Sequence, residues 1–151
     1  MSMKTGRRRC LAALLGFAAG VAALAAAAAD DEITVNEAYQ RSQAGEVLLI
    51  DVRTHEEWQQ SGLPLGARPV TLNDPAGIDG FVAALRAAVG DDETRPIALI
   101  CASGRRSARA KAALEEAGFT HVFNVKGGMF GSADAAGWAQ QALPTEACKT
   151  C

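Results

Sequence analysis

Beyond residue 30, the apolar residues of this chain fall into two alternating patterns. One is the short unbroken run. Residues 47–52 read Val-Leu-Leu-Ile-Asp-Val and residues 97–100 read Ile-Ala-Leu-Ile. A run that is apolar at nearly every position, rather than at every second one, predicts a strand covered on both faces. Residues 33–35 and 121–125 predict two more strands. Residues 63–72, with Pro64, Gly66 and Pro69, predict a loop holding a brief strand around Val70. The other pattern is the helical stripe. Ile78, Phe81, Val82, Leu85 and Val89 share one face of a helix over 78–89, with Gly90 as its stop. Asn36 predicts the cap of a helix to Gln43, ended by Gly45, and Thr54 caps a short helix closing near Gly62. Residues 107–117 predict a helix stopped by Gly118, and residues 133–141 a last short helix after the Gly127-Gly128 break. Short strands alternating with amphipathic helices predict an α/β domain, a central parallel sheet of about five strands flanked by helices. In such sheets ligands sit beyond the carboxyl ends of the strands.

The first 29 residues read differently. Lys4, Arg7, Arg8 and Arg9 precede an uncharged, Ala-rich stretch over 11–29, which ends in Ala27-Ala28-Ala29 and meets Asp30-Asp31-Glu32 abruptly. Basic, apolar, small and then acidic is the order of a secretory signal peptide. Residues 1–29 are therefore expected to be removed and the protein to be periplasmic or secreted. The competing reading is an uncleaved membrane anchor, because the stretch is near spanning length; only that reading places the protein at a membrane. The Arg7-Arg8-Arg9 run leaves twin-arginine export open. The full chain of 151 residues carries 15 basic and 17 acidic residues, a formal charge of −2. Loss of the leader removes four basic residues and no acidic ones, so 122 residues remain with 11 basic against 17 acidic, or −6. That length supports one core. The charge argues against bulk nucleic-acid binding. Arg105, Arg106, Arg109 and Lys111 are then a local basic cluster on an acidic domain, the pattern of an anion site.

After the leader, Cys101, Cys148 and Cys151 remain. An odd count in an exported chain suggests one disulfide and one free thiol. The obvious pair is Cys148 with Cys151, which leaves Cys101 free. Cys101 ends the 97–100 run, and Cys101-Ala102-Ser103-Gly104-Arg105-Arg106-Ser107 leads into the 107–117 helix. Strand, tight loop, helix puts the thiol before a fan of backbone N–H groups, the positive end of a helix dipole and two guanidinium groups. Each favours thiolate over thiol, and the same fan can hold an anion made on the sulfur. The site reads as a cysteine nucleophile for an anionic substrate. Two other cysteines and the scattered His55 and His121 do not make a zinc site, and no metal or cofactor is expected. His55 and His121 are read as surface or strand-edge residues, and Trp58, Phe81 and Trp138 as core.

Three blocks in order resemble the single-domain rhodaneses, a family of sulfurtransferases. The first is Leu49-Ile50-Asp51-Val52-Arg53 with Glu57-Trp58, Gly62 and Gly66-Ala67. The second is Cys101-x-x-Gly104-x-Arg106-Ser107. The third is Asn124-Val125-Lys126-Gly127-Gly128-Met129, with Trp138 beyond it. Together they span residues 33–144, and with the leader the nearest likeness is the periplasmic, phage-shock type. Leu63 stands where the family often has His, the Pro64-Leu65-Gly66 order is shifted, and the stretch from Gly128 to Trp138 is long. The resemblance implies a single rhodanese-like domain over 30–144 and a tail over 145–151. It implies that Cys101 attacks the outer sulfur of thiosulfate, expels sulfite, and passes the sulfur from a persulfide to cyanide or a thiol. The N–H groups of Ala102, Ser103, Gly104, Arg105, Arg106 and Ser107 would surround that persulfide. Gly104 permits the turn, Arg105 or Arg106 holds the sulfonate, and Ser103 and Ser107 donate to the sulfur or cap the helix. Asp51 orients the loop and Arg53 pairs with Glu57; the residues by themselves also allow a purely structural ion pair. The implied substrates are small molecules and the implied state is a monomer.

Three other readings compete. A cysteine-dependent phosphatase needs His-Cys-x5-Arg, but Ile100 stands in place of the His and Ser107 in place of the Arg. A non-catalytic rhodanese-like binding module usually lacks the cysteine or the loop pattern, and both are kept here. A thiol-redox or sulfur-carrier role would use Cys148 and Cys151, whose spacing fits a redox pair but whose place at the C-terminus does not.

Overall fold

A computed structural model describes residues 31–149 of the chain. The expected leader and Cys151 lie outside the described residues. In chain order the elements are β1 (Glu32–Ile33), α1 (Val35–Gln43), β2 (Leu48–Asp51), α2 (His55–Ser61), β3 (Leu63–Pro64), β4 (Arg68–Pro69), α3 (Gly77–Val89), β5 (Ile97–Ile100), α4 (Arg105–Glu116), β6 (Val122–Val125) and β7 (Thr145–Glu146). Five strands form one parallel sheet in the order β1-β6-β5-β2-β4. β5 is central and buried along its whole length. It pairs with β2 residue for residue, ending with Asp51 beside Ile100. Asp51 and Cys101 therefore leave the sheet together at its carboxyl edge.

The unbroken apolar runs follow from the strand's period of two. Ile50, Ile97, Leu99 and Cys101 point to one core, with Phe81, Val82, Leu85 and Val89 of α3 and Ala110 and Leu114 of α4. Leu49, Ala98, Ile100 and Val125 point to the other, with Val35 and Ala38 of α1, Met129 and Trp138. Both faces are covered, so no position in β2 or β5 is left for a polar side chain until Asp51.

Several boundaries differ from the sequence expectation. α1 is capped by Thr34, not Asn36. The Thr34 hydroxyl accepts from Glu37 N at 3.2 Å, and the Glu37 carboxylate accepts from Thr34 N at 2.8 Å. This reciprocal box satisfies two amide donors and stops β1 at Ile33. The short strand expected around Val70 lies just before it, at Arg68–Pro69. α4 begins at Arg105 rather than Ser107, because Gly104 takes a left-handed turn (φ 93°) as its cap. Residues 133–141 form no helix. Trp138 N donates to Gly128 O at 2.8 Å and Ala139 N to Met129 O at 3.0 Å, so tertiary partners replace the helical ladder. Trp138 is fully buried, edge-on to Tyr39 at 5.7 Å, and its indole N–H donates to Pro144 O at 2.9 Å.

The chain then returns to residues 62–66. β7 pairs antiparallel with β3, Leu65 N donates to Pro144 O at 3.0 Å, and Gly66 N donates to the Glu146 carboxylate at 2.8 Å. A Cβ at Gly62 would lie 2.7 Å from the Glu146 carbonyl oxygen, at a φ of +73°. Of the departures from the family pattern, the one at residues 63–66 thus receives the tail.

Candidate active site

Cys101 follows β5 directly and is 1% exposed. Its sulfur accepts from Gly104 N at 3.2 Å and lies 3.3 Å from the Ser107 hydroxyl. That hydroxyl also lies 3.1 Å from the Gly104 carbonyl. It carries one proton, which a thiolate would draw to itself. Burial pushes the Cys101 thiol up. The Ser107 hydroxyl and the backbone N–H groups of Ser107, Ser103 and Gly104 outweigh burial, and the pKa lies below the ordinary thiol value. Gly104 caps α4 in the left-handed region and starts the helix two residues earlier than the apolar spacing suggests, which puts Ser107 in its first turn beside the sulfur, while Ser103 and Gly104 donate from the loop.

The loop is closed from the other side by the third sequence block. Met129 N donates to Cys101 O at 2.8 Å and Phe130 N to Ala102 O at 2.9 Å. A Cβ at Gly128 would lie 2.7 Å from both the Ala102 carbonyl carbon and Ser103 N. The glycine expected only to break a strand therefore lets one backbone lie against another. Phe130 was missed in the sequence. It is 49% exposed at this edge, and the Arg53 guanidinium lies 6.0 Å from its ring centre. Its only sequence signal is an aromatic next to the Gly-Gly block.

The charged residues pair differently from what the family likeness implied. Arg53 does not pair with Glu57. Its guanidinium holds Asp51 through Nε at 3.0 Å and Nη2 at 2.7 Å, and reaches Ser61 Oγ and Gly62 O at 2.7 Å each. Asp51 and Arg53 are both fully buried. Arg53 precedes α2, so the helical i, i+4 geometry that would bring it to Glu57 is absent. Glu57 instead takes Arg106 across 49 residues, with nitrogen–oxygen distances of 2.7 and 2.6 Å. Glu57 Oε2 also accepts from Thr54 N at 3.0 Å, completing the expected cap of α2. The Arg106 bonds, opposed by partial burial and helped by Thr54, bring the Glu57 carboxyl down to about 2. Arg106 is raised in turn, chiefly by Glu57 and in smaller part by the charge of Cys101. The guanidinium expected to hold a sulfonate is thus occupied by a carboxylate, while Arg105 is exposed.

Ala102 and Ser103 are half-buried at the rim. Cys148 is disulfide-bonded; Cys151, its expected partner, lies outside the described residues. Among the described residues Cys101 is the free cysteine, and no group of three or more His, Cys, Asp or Glu is placed to hold a metal. His55 and His121 are exposed, and Trp58 and Phe81 are buried.

The model of the Rhodanese-like domain matches residues 34–135. The chain belongs to the rhodanese-like domain family. The uncharacterized protein RC0915 of Rickettsia conorii is 33% identical over 99 residues, covering 64% of this chain and 80% of the relative. The crystal structure of Rv0390 from M. tuberculosis is 33% identical with a TM-score of 0.61, covering 76% of this chain and 96% of that one. The polysulfide-sulfur transferase homodimer of Wolinella succinogenes shares the fold at 24% identity and a TM-score of 0.54, covering 80% of this chain and 82% of that one. The rhodanese-like domain here is thus a single α/β unit whose sheet edge presents one buried, hydrogen-bonded cysteine.

Proposed function

We propose that this rhodanese-like domain is a sulfurtransferase that takes sulfane sulfur from thiosulfate or a similar donor and passes it to cyanide or a thiol through a Cys101 persulfide. The observation that carries the reading is the cradle at Cys101: Gly104 N–H and the Ser107 hydroxyl on the sulfur, at the start of α4. The Cys101 thiolate attacks the outer sulfur of thiosulfate. The sulfur–sulfur bond of the donor breaks, and sulfite leaves with the electron pair. The persulfide anion then lies where the loop's N–H groups converge, the counterpart of an oxyanion hole. An acceptor nucleophile attacks the outer sulfur and Cys101 leaves as thiolate. Arg105 is the exposed cation of the loop and suits the sulfonate end of the donor, since Arg106 is held by Glu57.

We further propose that the protein is exported and works as a monomer in the periplasm or outside the cell. The leader pattern supports export, and so does a disulfide at Cys148, since such bonds persist in oxidising compartments. The test is the intact mass of the mature protein before and after thiosulfate, with Cys101→Ser alongside. A gain of about one sulfur atom, absent in the variant and removed by cyanide, is expected. No gain with thiosulfate or polysulfide, with Cys101 reduced, would leave a binding module as the better reading.

A further inference from the structure

Arg105 and Arg106 open α4 side by side, and their guanidinium groups end in different states. Arg105 is exposed and lines an open cavity of about 490 Å³ beside Gly104; among the described residues its side chain has no ion pair or hydrogen bond. Arg106 is held by both oxygens of Glu57, at 2.6 and 2.7 Å. Glu57 is fixed in turn by Thr54 N, which donates to its Oε2 at 3.0 Å. That cap needs an acceptor at Glu57 but no charge, since glutamine completes such a box as well as glutamate. A half-exposed ion pair adds little to stability. The charge of Glu57 therefore does something that neither the cap nor the fold demands. It cancels Arg106. Asp51 and Arg53, the buried pair beside the loop, already cancel each other. Phe130, exposed at the same edge, carries no charge. The Cys101–Ser107 loop is left with one unopposed cation, Arg105. Coulomb energy scales with the product of the charges, so a dianion gains twice what a monoanion gains from each free cation. Neutralising one of two arginines thus penalises a dianion more.

Resting on the sulfurtransferase reading, we propose that Glu57 is a specificity-determining residue, which acts through Arg106 to turn the site away from doubly charged sulfur donors and toward singly charged ones. It is a positioning residue: its contacts are with Arg106 and Thr54, not with the sulfur. The chemical step is the same for either donor. The Cys101 thiolate attacks the outer sulfur, the bond from that sulfur to the rest of the donor breaks, and the leaving group departs with the electron pair. That group is sulfite from thiosulfate, a dianion, and a sulfinate from a thiosulfonate, a monoanion. No external oxidant or reductant is needed.

The experiment has two readings, both in low-salt buffer. The first is the ratio of Cys101 alkylation rates with iodoacetate, an anion, and iodoacetamide, which is neutral. The ratio cancels any change in the thiolate fraction and needs no sulfur transfer. Glu57→Gln should raise it about fivefold, the size of one partly exposed unit charge. Glu57→Asp keeps the charge and should bring the ratio back toward wild type. Glu56→Gln removes an exposed charge one residue away and should leave the ratio as it is. An unchanged ratio in Glu57→Gln, or an equal rise in Glu56→Gln, overturns the proposal. The second reading is single-turnover loading of Cys101 by thiosulfate and by methanethiosulfonate. In Glu57→Gln the preference for thiosulfate should rise about fivefold, and about 1 M salt should erase the gain. An equal change for both donors overturns the proposal. If neither donor loads the wild type while the alkylation ratio shifts, the charge role of Glu57 stands and the sulfurtransferase reading alone fails.

Discussion

Asp51–Arg53 and Glu57–Arg106 are both short, two-pronged arginine–carboxylate pairs set close to Cys101, yet solvent reaches only one of them. Both side chains of the first pair are 0% exposed, against 33% for Arg106 and 26% for Glu57 in the second. The guanidinium of Arg53 also holds Ser61 and Gly62, so it ties the end of β2 to the end of α2. A buried pair of this kind is costly to break, though an apolar replacement of the whole pair can be neutral. Glu57–Arg106 instead joins the cap of α2 to the first turn of α4. It is partly screened by water, and Arg106 feels the charge on Cys101. Similar geometry thus does two things: the sealed pair holds the frame, and the rim pair shapes the field at the sulfur.

The sharpest way to break that contrast is Asp51→Ala, which strands a guanidinium in the core. A loss of about 3–5 kcal/mol in urea unfolding is expected; a loss below about 1 kcal/mol would put the two pairs in the same class. Next in size is Ser107→Ala, which separates the hydrogen bonds at the sulfur from the rim pair's field. Without that donor the Cys101 pKa rises, the acid limb of its alkylation profile moves to higher pH, and iodoacetamide reacts about tenfold more slowly on that limb. An unmoved profile would assign the thiolate to the backbone N–H groups and Arg106 alone. Glu57→Gln should cost no more than about 1 kcal/mol, and the difference from wild type should shrink in about 1 M salt. A salt-independent loss would mean that the rim pair behaves as a buried one. The smallest effect is in acid. The Glu57 carboxyl lies at about 2 rather than 4.5, so its stabilisation is complete above about pH 4.5 and is lost as the pH falls toward about 2. Thermal midpoints of wild type and Glu57→Gln should converge across that window; parallel curves would remove the ion pair from the account.

What the sequence determined by itself is local. The two nearly continuous apolar runs announced strands covered on both faces, and Cys101 at the end of one of them, followed by Gly104 and a helical stretch, marked the loop of the candidate site. Thr54 with Glu57 three residues on is a cap readable from spacing, as is Gly90 after its stripe. Thr34 with Glu37 is the same signal, which makes Asn36 the weaker choice. Only the tertiary structure decided the rest. Arg53 stands four residues from Glu57 in the chain, but it lies ahead of the helix and turns back to Asp51, while Glu57 finds a partner 49 residues away. The Ala-rich 133–141 stretch has the propensity for a helix and forms none, because burial of Trp138 and bonds to Gly128 and Met129 outweigh it. The cavity beside Gly104 draws walls from both ends of the domain, and no window of sequence contains it. Caps, turns and strand runs act over a few residues and leave a mark in the order of the chain. Ion-pair choice and cavity shape depend on which segments the fold brings together.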